Sequence, residues 1–260
     1  MKNTIVPIIM QTYNRLEYTM EVIASFRNHL LYPHQVIVID NASTDGTQDY
    51  LKLMKKLGYV DHLILNETNL GIAEPKNQGL KIVKQLAEVY EINYICITDN
   101  DIVPPFIRDE GDCILGKIIK VMEAHTNIGM CGCDLSVENA PDYQDWWWKL
   151  RQNPSYNPTF AEIVIGFWFS VFRYKIFNEF EFSSESLYGR VDESIRNWLS
   201  YNGNKIGLIK GVIGEKETIP KVGLHLGWVE DQKKYPEYVA FKKNERHKSE
   251  EAWKQKNLKW

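Results

Sequence analysis

Two carboxylates one residue apart, Asp99 and Asp101 in "ITDNDIVPP" (97–105), follow a run of aliphatics and precede a pair of prolines. Hard divalent cations take oxygen ligands, and a diphosphate supplies several more. The pair therefore suits a site that holds Mg2+ or Mn2+ against a nucleoside diphosphate. Taken alone, the triplet is also an ordinary acidic turn, because Asp and Asn are common turn formers. Three other stretches strengthen the chemical reading. "QTYNR" (11–15), "DNASTD" (40–45) and "NETNLG" (66–71) also follow apolar runs and bring hydroxyls, amides and acids.

The elements that must position these residues are legible from periodicity. Short apolar runs at 4–11, 35–40, 62–66 and 93–98 read as strands. They alternate with helical patterns at 15–30, 43–58 (N-capped by Ser43 or Thr44) and 74–91. Strands alternating with helices imply an α/β fold with an open, mostly parallel sheet, whose strands are apolar throughout because helices cover both faces. In such sheets ligands bind beyond the carboxyl ends of the strands, so Asn41 and Asn100 join the acids in one crevice.

Beyond "DIVPP" the pattern predicts a helix at 106–126, a strand at 128–136, a loop rich in Pro and Trp at 139–158, a strand at 162–172, a helix near 192–201 and a strand from 205. These form a second lobe on the same sheet. The expected organisation is one domain, 1–228, with a nucleotide and metal half (1–105) and an acceptor half (106–228). A polar, basic and aromatic tail, 229–260, comes after it.

Composition excludes several classes. A net charge of -3 gives no general attraction to nucleic acid. No apolar run approaches the ~20 residues of a membrane span, and the amino terminus shows no secretion signal, so a cytoplasmic location is expected. Four cysteines without a regular framework suit a reducing compartment as buried apolar groups. The first glycine is Gly46, which rules out a Gly-rich dinucleotide loop after the first strand. "GDCILGKI" (111–118) has phosphate-loop spacing, but Ile118 stands where a hydroxyl should hold magnesium.

The first hundred residues resemble the family 2 glycosyltransferases of the GT-A fold. The resemblance rests on "TYNR" (12–15), "IDNASTDGT" (39–47), "NLGIAEPKNQG" (69–79) and "DND" (99–101), which occur in the family's order and spacing. It implies that Thr12, Tyr13 and Arg15 line the nucleoside pocket, that Asp40 accepts a hydrogen bond from the base, and that Asp45 lies nearby. It also implies that Asn69, Gly71 and Lys76 meet the nucleotide sugar. Lys76 stands where Arg is commoner, so a bidentate grip becomes a point charge.

In the second half, "EIVIGFWFSVF" resembles the element that carries a glycine near the donor sugar, here Gly166. "YGRVDESIRNWL" resembles the segment holding the catalytic base, at Asp192 with Glu193 as rival, and "VGLHLGW" the late His-x-Gly element, with His225 as a third cation ligand or a donor to phosphate. Trp146, Trp147, Trp148 and Trp168 suggest an aromatic platform for the acceptor.

The implied activity is inverting, divalent-metal-dependent transfer of a sugar from a nucleoside diphosphate sugar, UDP-sugar favoured, to a hydroxyl of a glycan or lipid-linked acceptor. The tail offers a weak peripheral contact with an anionic membrane. Two alternatives stay open: a sugar-phosphate nucleotidyltransferase, and a non-catalytic module that binds sugar nucleotides or glycans.

Overall fold

The structure, a computed structural model, describes residues 2–107, 112–136, 160–162, 165–183, 191–209, 223–227 and 229–257. Four parallel strands open the chain: β1 (Val6–Thr12), β2 (His34–Asp40), β3 (His62–Leu65) and β4 (Tyr94–Asp99). They are joined by α1 (Leu16–His29), α2 (Thr47–Lys56) and α3 (Ala73–Val89). The remaining elements are β5 (Ile102–Val103), α4 (Ile114–Ala124), β6 (Ile128–Cys133), β7 (Phe160–Glu162), β8 (Ser170–Arg173), α5 (Val191–Tyr201), β9 (Lys205–Ile209), β10 (Leu224–His225), α6 (Val229–Lys234) and α7 (Pro236–Asn257).

The main sheet has eight strands in the order β3-β2-β1-β4-β8-β6-β9-β7, and a separate two-stranded ribbon pairs β10 with β5. Strand β8 runs antiparallel to both β4 and β6, which makes the sheet mixed and stitches the second half of the chain to the first. Thr12 of β1 pairs with Asp40 of β2, and Gln11 pairs with Asp99 of β4, so the carboxyl ends of three strands finish level with one another. Apolar side chains along these strands, such as Ile8, Ile37 and Ile95, are fully buried. Helix α3 comes unusually close, because Gly79 faces the sheet. A methyl group there would lie 2.6 Å from Ile9 Cγ2.

Several boundaries depart from the sequence expectation. Residues 162–172 are not one strand. Phe169, at φ 50°, breaks the run between β7 and β8 and frees Gly166 and Trp168 to form a loop. Ser43 and Thr44 do not cap α2, which begins after Gly46 at φ 93°, because the preceding turn is tied to the turn after β1. Helix α4 starts only at Ile114, after Cys113 in an extended conformation. All four cysteines are free and buried, as their composition suggested. No helix among the described residues is long and apolar enough to cross a membrane.

Candidate functional site

The turn after β1 places two consecutive non-glycine residues, Asn14 (φ 55°) and Arg15 (φ 61°), in the left-handed region. Strain of this kind persists only where surroundings impose it. Here they do so through the turn after β2. The Asn14 N–H donates to Ser43 Oγ (2.7 Å), the Thr44 N–H donates to Asn14 Oδ1 (2.9 Å), and the Leu16 N–H donates to Asp45 Oδ2 (2.9 Å). The other oxygen of Asp45 accepts from the Thr47 N–H (3.2 Å) and hydroxyl (2.6 Å), so one carboxylate caps the starts of both α1 and α2.

Asp40, fully buried, uses Oδ2 to accept from the Ser43 N–H (2.9 Å) and Gln48 Nε2 (2.8 Å). Its Oδ1 is buried with no hydrogen-bond partner among the described residues. A buried oxygen of that kind costs free energy unless something supplies a donor. Asn41 holds the next loop in place, donating to Asn69 Oδ1 (2.7 Å) and the Gly71 carbonyl (2.8 Å) and accepting from the Leu70 N–H (2.9 Å).

The left-handed turn sends the Arg15 side chain inward. Its guanidinium donates to Asp101 Oδ2 (2.7 Å), Asp231 Oδ2 (3.3 Å) and Asn100 Oδ1, with the side chains of both acids and of Arg15 less than a tenth exposed. Asn100 completes the knot by donating to the hydroxyls of Thr12 and Thr19, each at 3.0 Å. The β5–β10 ribbon then brings His225 alongside, Nδ1 lying 3.8 Å from Asp101 Oδ2. Burial alone would raise the Asp101 carboxyl, but His225, Arg15 and Lys242 hold it down at about 2. Burial lowers the His225 imidazole to about 4, keeping it neutral at pH 7.

On the other side of β4, Lys76 is buried in the first turn of α3. It donates to Gln11 Oε1 (3.1 Å) and lies 4.5 Å from the centre of the Phe167 ring. Burial lowers its ammonium against the opposing pull of Asp99 and Asp192. Burial also raises the Asp99 carboxyl, with Lys76 pulling it back. Gly166 sits beside this group, and a Cβ there would be 3.5 Å from Asp192 Oδ2 and 3.2 Å from Trp168 Nε1. Asp192, in the first turn of α5, has a 43% exposed side chain held loosely by Arg196 at 3.4 Å. The edge therefore has two halves: Asp101 faces Arg15 and His225, while Asp99 shares the field of Lys76 with Asp192.

Comparison with known proteins gives this edge a lineage. The model of glycosyl transferase family 2 matches residues 8–178, which include the strands and turns of the sheet edge up to the loop after β8. The chain belongs to glycosyl transferase family 2. Within the family it is 30% identical over 98 residues to TuaG of Bacillus subtilis (strain 168), a glycosyltransferase named for teichuronic acid biosynthesis. That match covers 37% of this chain and 36% of TuaG. S. aureus TarS 1-349, solved with UDP, superposes with a TM-score of 0.57 at 16% identity, covering 85% of this chain and 60% of that one. The mannosyltransferase PcManGT from Pyrobaculum calidifontis, solved with GDP-Man and Mn2+, gives 0.58 at 19%, covering 83% and 59%. These likenesses establish the GT-A type α/β fold. The chain spans about three fifths of both structural relatives and about a third of TuaG.

The structure gathers Asp40, Asn41, Asn69, Gly71, Lys76, Asp99, Asp101, Gly166, Asp192 and His225 at one edge of the sheet. Thr12, Arg15 and Asn100 are inside it, joined by hydrogen bonds that leave only Arg15 Nε of the guanidinium without a partner among the described residues, and Asp45 caps helices. Asp99, Asp101 and His225 do not converge as three ligating side chains, and no such group of three occurs among the described residues. Of the Asp192–Glu193 pair, Asp192 is the one that approaches Gly166. Trp168 is half-buried beside Gly166, while Trp146, Trp147 and Trp148 lie outside the described residues.

Sequence reasoning missed the bond of Gln11 to Lys76, the part played by Asp231 and the docking of α7 on this edge. The spacing of Tyr235, Tyr238 and Phe241 was the available signal for α7. These rings pack on Tyr18 and Tyr13 at the mouth of the edge.

Proposed function

We propose that this protein transfers a sugar from a nucleoside diphosphate sugar, UDP-sugar favoured, to a hydroxyl of a glycan or lipid-linked acceptor, with inversion and with help from a divalent cation. The observation that carries the reading is the meeting of Gly166, Asp192, Lys76 and Asp99 at the same sheet edge as the unpartnered oxygen of Asp40. A base imide N–H is the donor that Asp40 Oδ1 lacks. With the base there, a diphosphate would extend along the end of β4 toward Lys76, and the sugar toward Gly166, where the missing side chain leaves room.

The donor set at the end of β4 fits a hard cation. Asp101 Oδ1 is buried without a hydrogen-bond partner among the described residues, and Asp99 is partly open to solvent. Asp99 and Asp101 would hold Mg2+ or Mn2+ together with diphosphate oxygens, and the ion would offset charge building on the departing group. In the same step Asp192 takes the proton of the acceptor hydroxyl as its oxygen attacks the anomeric carbon from the face opposite the diphosphate. A single displacement inverts that carbon. Lys76 stands on the leaving-group side, where its ammonium would oppose the charge building on the diphosphate.

Hydrolysis of a panel of nucleotide sugars tests the reading. Turnover is expected with Mn2+, loss of turnover with a chelator, and a drop of at least about a hundredfold in Asp99→Asn. Asp99 suits this test better than Asp101, whose removal would also unpair Arg15. A protein that binds donors but never turns one over would instead be a binding module. One that joins a sugar phosphate to a nucleoside triphosphate would be a nucleotidyltransferase.

A further inference from the structure

Helix α7 carries Tyr238, Phe241 and Lys242 at i, i+3 and i+4, the spacing that puts side chains on one face of a helix. That face meets the mouth of the proposed donor site. The Tyr238 ring lies 4.4 Å from the Arg15 guanidinium carbon, and the Phe241 and Tyr13 ring centres are 5.3 Å apart. Lys242 Nζ is 5.8 Å from the Tyr238 ring, on an exposed side chain. It makes no hydrogen bond or ion pair with a described residue. The same Tyr238 ring rests on Arg15, whose guanidinium is 2.7 Å from Asp101 Oδ2, so the docked face carries Lys242 to the acidic edge.

The site needs such a charge. Asp99 and Asp101 flank the position proposed for the diphosphate, which brings further negative charge, and Asp231 shares Arg15 with Asp101. Arg15 is locked into Asp101, Asp231 and Asn100, and Lys76 is tied to Gln11 and the face of Phe167. Neither can turn toward a ligand without leaving a buried group unpaired. Lys242 can, because it is exposed, on a flexible four-carbon stem and held at the mouth by the docked face of α7. We infer that Lys242 is a ligand to the donor's diphosphate, brought to the site by docking of α7 on Tyr13 and Arg15. A lysine serves here as a mobile point charge on phosphate oxygens. The inference rests on the proposed donor site and adds a residue to it from outside the stretch matched by the family, which ends at residue 178.

The test uses the full chain with Mn2+ and calorimetric titration of UDP and GDP, each compared with its nucleoside. For the nucleoside diphosphate that the wild type binds, Lys242→Met is expected to weaken binding at least about tenfold, the scale of one hydrogen bond to a charged group. Binding of the matching nucleoside should stay within about twofold, and Lys242→Arg should restore most of the loss. The Lys242 side chain is exposed, so its substitution is expected to leave the fold intact, which a thermal melt checks. Equal affinity of wild type and Lys242→Met for the nucleoside diphosphate would overturn the inference while leaving the donor site standing. So would an equal loss for the nucleoside, which would reduce Lys242 to a docking role. If the wild type binds neither nucleoside diphosphate, the donor site and this inference fall together.

Discussion

Asp192→Asn is expected to lower donor turnover by about 10²- to 10⁴-fold while nucleotide binding stays close to that of the wild type. That is the range for removing a positioned general base, and amide for carboxylate is nearly isosteric. The geometry makes the two effects separable. Asp192 enters from α5, beside Gly166 and away from Asp40 and the Arg15 knot, and its side chain is open enough to meet an acceptor. Its tie to Arg196 is a long, partly exposed pair that contributes little to stability, so the variant should melt within about 2 °C of the wild type. Steady-state hydrolysis and nucleotide titration on the same preparation check both halves. If Asp192→Asn turned over normally and Glu193→Gln did not, the base would be reassigned.

Arg15→Met should be the most damaging single substitution for stability. It leaves Asp101 and Asp231 buried, mutually repelling and without their shared cation. Breaking a buried pair by removing one partner costs about 3–5 kcal/mol, because the surviving charge is uncompensated. For a domain of this size that is a fall in Tm of roughly 6–20 °C. The double variant Arg15→Met with Asp231→Asn should recover part of the loss, since it removes one stranded charge. A thermal melt of the two single variants and the double gives the coupling directly. A single variant Arg15→Met that melts with the wild type would mean that the guanidinium is not the keystone its contacts imply.

What the sequence disclosed and what it hid depend on separation along the chain. The polar strand ends were legible because each sits immediately after its own apolar run. The parallel register Thr12–Asp40 and Gln11–Asp99 then brought them level without further information. Arg15 was visible in "TYNR", but its role was not. Its inward turn depends on two left-handed residues, and its partner Asp231 lies 216 positions away, in a stretch with no motif. The break in 162–172 was hidden for the opposite reason. Almost every residue there is apolar or small, so hydropathy gave no sign that Phe169 would take a positive φ and open the loop that holds Gly166. The tail looked like a solvated segment because most of it is. Only the Tyr235, Tyr238 and Phe241 spacing marked the face that docks, and whether a docked face meets a site is decided by the rest of the fold.

The central claim is that the carboxyl edge of β1, β2 and β4 holds a nucleoside diphosphate, with the base at Asp40 and the diphosphate at Asp99 and Asp101. A crystal structure of the protein soaked with UDP and Mn2+ tests it most directly. The account predicts a base imide within hydrogen-bond distance of Asp40 Oδ1 and an anomalous manganese peak between the Asp99 and Asp101 carboxylates and the diphosphate. Nucleotide bound elsewhere, or an Asp40 oxygen still unpartnered beside a vacant edge, would contradict it.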